Sequence, residues 1–113
     1  MKKDNITIDD FVKIDIRVGL VKEAAAVPDS KKLIKLLVDL GTDYGEVTIL
    51  TGMLPYFPDP SVLAGKKYLF LANLAPRKMA GIESQGMFLA ADGTDKPAVI
   101  QMSDDTPLGA FVH

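Results

Sequence analysis

The sequence predicts a small all-β domain, either a barrel or a sandwich, and three observations support this prediction. Apolar residues alternate with polar or small ones over residues 14–21 and 34–40, which is the period-two pattern of strands. Turn-forming residues separate such runs, notably at residues 28–30, 41–45 and 92–93. At 113 residues, the chain is long enough to bury one core and too short for two.

The first predicted elements are a short helix and a long strand. Thr7 is placed to cap a helical turn over residues 8–11, in which Asp9 and Asp10 suit a helix N-terminus. The strand begins near residue 13 and can continue to residue 27. Its first residues alternate between two faces, with Ile14, Ile16, Val18 and Leu20 on one and Asp15, Arg17, Gly19 and Val21 on the other. Gly19 predicts a bulge or a sharp bend within this strand.

A second strand is predicted to begin near Leu33 and a third to cover residues 46–51. Residues 33–40 also fit a helix, because four leucines recur there at helical spacing. The glycine-flanked segment 41–45 favours the strand, since it is typical of a hairpin loop between two strands.

The second half of the chain predicts one short helix and the remaining strands. Residues 52–60 form a proline-rich loop, and Asp59 is placed to cap a helix that ends before Gly65. The fourth and fifth strands are predicted at residues 68–73 and 83–91, and a final strand at residues 97–102.

Composition excludes several classes of protein. No apolar run approaches the ~20 residues of a membrane helix, and the charged first ten residues do not form a signal peptide. The chain has no cysteine, which fits a reducing cytoplasm and excludes disulfides and zinc ribbons. The single histidine is the last residue, so neither a catalytic triad nor a metal site is predicted, and we expect no cofactor and no enzymatic activity.

Residues 71–91 carry the most informative pattern of the chain. Two apolar runs flank a polar connection that contains Arg77, Lys78, Glu83, Ser84 and Gln85. Proline and glycine within this connection predict a loop at the rim of a sheet. Polar loops between buried strands commonly present binding sites.

The segment NLAPRKMAGIESQGM, together with FVKIDIRVG and VPDSKKLIKLLVDLG, resembles the tRNA-binding domain at the C-terminus of many methionyl-tRNA synthetases. The same domain occurs in standalone tRNA-binding proteins and in the endothelial monocyte-activating polypeptide. The resemblance covers residues 8–91 and implies a five-stranded oligonucleotide-binding (OB) barrel, with a short helix between strands 3 and 4, that binds tRNA without chemistry. We therefore expect a single domain over residues 1–113, with a barrel at about 8–91 and a C-terminal extension, 92–113, that takes part in dimerisation.

The resemblance also implies a set of residues that contact tRNA. Basic side chains on neighbouring strands and loops can follow a phosphate backbone even though the net charge is −2 and the pI about 5.2. The expected set is Arg17, Lys31, Lys32, Lys35, Asn73, Arg77, Lys78, Ser84, Gln85 and Met87.

Each of these residues also has a structural interpretation. Lysines can be ordinary solvated charges, Asn73 and Ser84 can satisfy backbone groups in turns, and methionines can fill gaps in a core. Tyr56 and Phe57 can either stack on bases or pack the proline-rich loop.

The expected partners are tRNA, a second copy of this chain and a methionyl-tRNA synthetase, and no membrane. The strands at 68–72 and 87–90 are apolar on both faces, and Leu108, Phe111 and Val112 are apolar near the end, which together predict a homodimer. Relatives of this domain also include secretion-related chaperones that bind unfolded peptide in the corresponding groove. Peptide binding is therefore the alternative to tRNA binding.

Overall fold

The computed structural model describes residues 1–113 and is mostly β-structure. It contains one α-helix and two 3-10 helices, and the remaining elements are short or medium strands. The helices are α1 (Ile8–Phe11), η1 (Leu54–Tyr56) and η2 (Pro60–Leu63). The strands are β1 (Ile16–Ala26), β2 (Ile34–Asp39), β3 (Glu46–Thr51), β4 (Lys67–Leu71), β5 (Arg77–Met79), β6 (Ile82–Ser84), β7 (Met87–Phe88), β8 (Ala90–Ala91), β9 (Ala98–Val99), β10 (Gln101–Met102) and β11 (Phe111–Val112).

The strands form an antiparallel barrel centred on β1. The main sheet has the order β10-β4-β1-β2-β3, and β7 pairs with the other part of β4, with Phe88 opposite Phe70. The Gln85 amide donates to the Thr48 carbonyl at 2.8 Å, so the segment that leads into β7 also contacts β3. This bond closes the sheet, and the predicted OB-type barrel is confirmed, with η2 between β3 and β4.

Aromatic rings fill the interior of the barrel. Tyr68 and Phe70 on β4 are almost fully buried and contact Phe88, with ring centroids 5.2 and 5.3 Å from that of Phe88. Gly19 on β1 faces these rings, since a Cβ atom there would approach the Phe70 and Leu40 side chains to 2.8 Å. The absence of a side chain at residue 19 therefore lets β1 approach the core closely.

The two predicted faces of β1 are confirmed, and the face that carries Arg17, Gly19 and Val21 is the inner one. Gly19 is paired with Tyr68 and Arg17 with Phe70, and residues directly opposite each other in an antiparallel pair share a face. Arg17 therefore lies on the inner face at one end of the barrel. The bulge is displaced from its predicted position at Gly19, because the register shifts between Val21 and Glu23.

Several predicted elements are confirmed. Thr7 caps α1, and its hydroxyl and the Asp10 carboxylate form a reciprocal capping box. Residues 34–39 and 46–51 are strands β2 and β3, so the helical interpretation of the leucine run is excluded. Asp59 caps η2 by accepting a hydrogen bond from the Ser61 amide, although the element is a 3-10 helix.

The second half of the chain differs from the prediction in its details. The connection predicted as a loop contains the β5–β6 hairpin, whose two turn residues, Ala80 and Gly81, have positive φ angles of 50° and 76°. Two such residues are typical of a type I′ turn. The first of them usually is Asn, Asp or Gly, so the alanine at residue 80 did not indicate this turn in the sequence. The predicted strands 83–91 and 97–102 are each divided into shorter strands, and residues 98–112 contribute β9, β10 and β11 to the sheets.

None of the helices is long and apolar enough to span a membrane.

Candidate nucleic-acid interface

A groove with a volume of about 450 Å³ lies on the outside of the barrel, between the end of β3, η1 and the β5–β6 hairpin. Nine of its fourteen lining residues are hydrophobic, so its floor is mainly apolar. The lining residues are Leu33, Leu50, Thr51, Gly52, Met53, Tyr56, Arg77, Met79, Met87, Phe88, Ala90, Ala91, Asp92 and Pro97.

Three lysines of the β1–β2 loop and of β2 lie next to residues that line this groove. The Ser30 hydroxyl accepts hydrogen bonds from the amides of Lys32 and Leu33, which fixes the loop. The Lys32 carbonyl accepts from the Leu54 amide of η1, so Lys32 is held next to the groove. Lys35 lies opposite Leu50, a groove residue, and both side chains therefore point to the same face of the sheet. Lys31, Lys32 and Lys35 are exposed.

The β5–β6 hairpin presents its two basic residues on opposite faces. Arg77 and Met79 line the groove, while the intervening Lys78 points the other way, because side chains alternate along a strand. Lys78 lies opposite Glu83 without forming an ion pair with it. Of the two residues of the predicted pair, only Arg77 faces the groove.

Arg17 was expected to contact phosphate, but it is engaged within the protein. Its side chain is 8% exposed and donates to both carboxylate oxygens of Asp15, with Nε 2.7 Å from Oδ1. Its Nη1 atom also donates to Asp43 at 3.0 Å and to the Gly109 carbonyl at 3.2 Å. The guanidinium lies 4.0 Å from the centre of the Phe111 ring. Arg17 therefore holds the C-terminal segment against β1 and is not available to a ligand.

This cluster also changes the acidity of its members. Hydrogen bonds from Arg17 lower the pKa of the Asp15 carboxyl, and a further hydrogen bond from the Tyr44 hydroxyl acts in the same direction. The bond to Asp15 raises the pKa of Arg17 and also that of Tyr44. All three pKa shifts favour an ionised Asp15–Arg17 pair and a neutral Tyr44.

Two more residues of the expected set have structural roles. The Asn73 side chain accepts from the Asp15 amide at 2.9 Å and donates to the Lys13 carbonyl at 2.7 Å, so it fastens the start of β1. Ser84 is 1% exposed, and its hydroxyl accepts from the Leu50 amide at 3.0 Å. The polar groups of Arg17, Asn73 and Ser84 are thus engaged within the protein, which does not favour their predicted contact with tRNA. Gln85 and Met87 are exposed, and Met87 lines the groove.

The structure also separates the two aromatic residues of the proline-rich loop. Phe57 packs against the hydrophobic core, whereas Tyr56 is 44% exposed and lines the groove. Asp92, which the sequence indicated only as a turn residue, lines the groove as well. In the sequence, Asp92 precedes Gly93, and this pair is typical of an ordinary turn, so no sequence pattern could have identified Asp92 as a groove residue.

The groove offers binding groups on the side of the barrel that OB folds use for ligands. No group of three or more histidine or acidic side chains is placed to hold a metal ion. The groove lies on the β2–β3 face and is bordered by the β1–β2 loop and by the hairpin between β4 and β7. In OB folds, this face and the corresponding loops bind oligonucleotides or oligosaccharides. Fold and site together define an OB-type binding domain.

Comparison with known proteins gives the family. The model of the tRNA binding domain family matches residues 16–110, and this chain belongs to that family. The methionine–tRNA ligase of Methanococcoides burtonii is 44% identical over 112 residues, which are 98% of this chain and 16% of that enzyme. The chain thus spans about a sixth of the length of the curated relatives it matches.

Two solved structures resemble the whole chain. The MetRS-related protein from Pyrococcus horikoshii is 43% identical with a TM-score of 0.90, and the match covers 98% of this chain and 100% of the other. The CsaA chaperone protein from Picrophilus torridus is 28% identical with a TM-score of 0.85, over 96% of this chain and 100% of the other. The same barrel thus occurs in a protein related to a tRNA synthetase and in a chaperone.

Proposed function

We propose that this chain is a non-catalytic tRNA-binding module of the cytoplasm, either freestanding or accessory to a methionyl-tRNA synthetase. Its task is to raise the local concentration of tRNA, while the synthetase performs the chemistry. The family membership and the similarity to methionine–tRNA ligases support this proposal.

The placement of exposed cations around the groove is the observation that carries the proposal. Arg77 lines the groove, Lys31 and Lys32 directly precede the lining residue Leu33, and Lys35 is paired with the lining residue Leu50; none of these cations takes part in an ion pair of the chain. Unpaired cations in and next to one groove can follow the phosphates of a bound strand. This local arrangement allows RNA binding despite the net charge of −2.

Fluorescence anisotropy with bulk tRNA, at low and at physiological salt, tests the proposal. The double variant Arg77→Ala/Lys78→Ala is expected to lose most of the affinity. Of the two single variants, Arg77→Ala should account for most of this loss and Lys78→Ala for little of it, because Arg77 lines the groove and Lys78 does not. We expect Arg77→Ala to weaken binding about tenfold and to reduce the slope of log K against log salt by about one.

Lys22→Ala is the matched control for these variants. Lys22 is an exposed lysine already paired with Glu46 at 2.5 Å, so its removal should change tRNA affinity little. An equal loss from Lys22→Ala and Arg77→Ala would mean that general charge, and not this groove, holds the RNA. Absence of tRNA binding by the wild type at low salt would refute the proposal.

We further propose that the chain forms a C2 homodimer. The N-terminal segment exposes Ile6, Ile8, Val12 and Ile14, and it leads into β1, whose first residues pair with β11 and its exposed Phe111. Exposed apolar residues at one end of a barrel fit burial against a second copy. Sedimentation at micromolar concentration should give twice the monomer mass, and Ile8→Asp/Phe111→Asp should give the 12.2 kDa monomer. A wild type that sediments as a monomer would refute this.

Binding of unfolded peptide is the second candidate function. The apolar lining of the groove, with three methionines, and the resemblance to the CsaA chaperone protein favour it. An aggregation assay with a denatured substrate protein distinguishes the two functions. Suppression of aggregation without tRNA affinity would support the chaperone function.

A further inference from the structure

The groove combines two opposite charges that are not paired with each other. Arg77 and Asp92 both line it, yet none of the four ion pairs of the chain involves either residue. Two oppositely charged side chains around an apolar groove can each bind a different part of one ligand. Such a ligand has an anionic group, an apolar body and a hydrogen-bond donor.

The apolar part of the groove contains an exposed aromatic ring on which a flat ring can stack. Tyr56 and Met87 are each 44% exposed at the edge of the groove, above a floor that includes the buried Phe88 and Leu50. Exposed aromatic side chains in OB folds stack on bases, and this stacking tolerates any base. A volume of 450 Å³ has room for an unpaired nucleotide.

Asp92 favours some bases over others, whereas stacking tolerates any base. An ionised carboxylate can only accept hydrogen bonds, so it favours a base edge that donates. Guanine presents N1–H and N2–H₂ side by side, which match the two oxygens of one carboxylate. Uracil presents a single donor between two carbonyl oxygens, and these repel a carboxylate. Cytosine and adenine each offer one amino group and fall between the two.

We infer that the groove holds an unstacked guanine of the bound RNA, with Asp92 accepting from its Watson–Crick edge, Tyr56 stacking on its ring and Arg77 holding an adjacent phosphate. This inference rests on the proposed tRNA-binding function and gives that function a base preference. A second, smaller groove of about 310 Å³ continues from Asp92 and Tyr56 along residues 93–97, which leaves space for the next nucleotide.

Anisotropy with short labelled oligonucleotides tests the inference. The probes are an oligouridine, the same oligomer with one central guanosine, and a third with inosine in place of the guanosine. Inosine lacks only the 2-amino group, so it removes one of the two donors. The wild type should bind the guanosine probe about tenfold more tightly than oligouridine, with the inosine probe between them.

Asp92→Asn should abolish the preference for guanosine over inosine, while binding to oligouridine is retained or improved. Asp104→Asn is the matched control, because it removes the same charge from an exposed side chain that lines neither groove. It should leave the preference unchanged. The readout is the ratio of affinities for two probes, so a general effect of charge on RNA binding cancels.

Bulk tRNA measured in the same series separates this inference from the function on which it rests. If the wild type binds tRNA but binds the three probes equally, the guanine site is refuted and the tRNA-binding function stands. If Asp104→Asn removes the preference as completely as Asp92→Asn, the site assignment is refuted. If an unfolded polypeptide displaces the probes and the wild type does not bind tRNA, both are refuted in favour of the chaperone function.

Discussion

Two arginines of this chain occupy opposite kinds of environment. Arg17, at one end of the barrel, has an 8% exposed side chain and donates to two carboxylates and a carbonyl. Arg77, on the hairpin, is exposed in a groove and forms no ion pair. Both belong to motifs that resemble the same family, yet only one has donors left for a ligand.

The contrast shows how a binding residue can be distinguished from a structural one. A guanidinium has five N–H donors, and a buried one must satisfy them within the protein. Arg17 makes four hydrogen bonds, to Asp15, Asp43 and Gly109, and thereby joins β1 to the C-terminal segment. Arg77 has no such partners, so its free donors are available to RNA. The following predictions test this division from the largest expected effect to the smallest.

Arg17→Ala is expected to have the largest effect, and on stability. Removing a buried cation leaves Asp15 and Asp43 close together without compensation, which should cost about 3 kcal/mol in the free energy of unfolding. Urea denaturation measures this loss. The affinity of the folded variant for tRNA should remain close to that of the wild type. A stable variant that no longer binds tRNA would reverse the roles of the two arginines.

Ser84→Ala tests whether Ser84, within the segment NLAPRKMAGIESQGM, stabilises the fold as Arg17 does. Ser84 is 1% exposed and accepts from the Leu50 amide, so alanine leaves that buried N–H without a partner. The expected cost is about 2 kcal/mol of stability, measured by urea denaturation. A loss of tRNA affinity with unchanged stability would instead place Ser84 among the contact residues.

Strands β2 and β3 could be predicted from the sequence because their hydrophobic pattern is local. Along β2, Ile34, Leu36 and Val38 are fully buried and alternate with more exposed residues, as the sequence indicates. Which face of β1 is the inner one could not be predicted, because Arg17, Val18 and Gly19 are all buried. The C-terminal segment lies beside this part of the strand, where the Val18 amide donates to the Ala110 carbonyl and the Val18 carbonyl accepts from the Gly109 amide.

The candidate site, like the fold, could be predicted from the sequence only in part. Arg77 and the lysines at 31, 32 and 35 were predicted because their motifs carry the family resemblance, and the structure places Arg77 in the groove. The engagement of Arg17 within the protein was not predicted because its partners, Asp43 and Gly109, are 26 and 92 residues away in the sequence. Asp92 was not predicted because its position in the groove depends on how segments distant in the sequence come together around it. Contacts between distant segments thus decide which polar residues are free.

Tyr56→Ala should reduce RNA affinity without reducing stability. Tyr56 is exposed, and loss of one base-stacking contact should weaken binding of single-stranded RNA roughly tenfold. Tyr56→Phe keeps the ring and should bind like the wild type. Phe57→Ala provides the contrast, because Phe57 packs on the core and its loss should lower the melting temperature. Equal binding by Tyr56→Ala and the wild type in an anisotropy titration would exclude stacking on Tyr56.

The smallest expected effect is a dependence of stability on acid pH. The pKa of Asp15 in the folded protein lies below its ordinary value of 3.8, chiefly because Arg17 donates to it. The unfolded chain therefore takes up the proton first as the pH falls. The stabilisation by the ionised pair is complete above about pH 5 and is lost as the pH decreases through the lowered folded-state pKa.

Urea denaturation of the wild type and of Asp15→Asn, from about pH 6 down to about pH 3, measures this contribution. The difference in stability between the two proteins should be constant at the upper end and should shrink toward the lower end. The part of this difference that depends on pH stays small, because the protonated Asp15 carboxyl can still accept a hydrogen bond from Arg17. A difference that is independent of pH would mean that Asp15 titrates alike in both states, and that Arg17 does not hold it ionised.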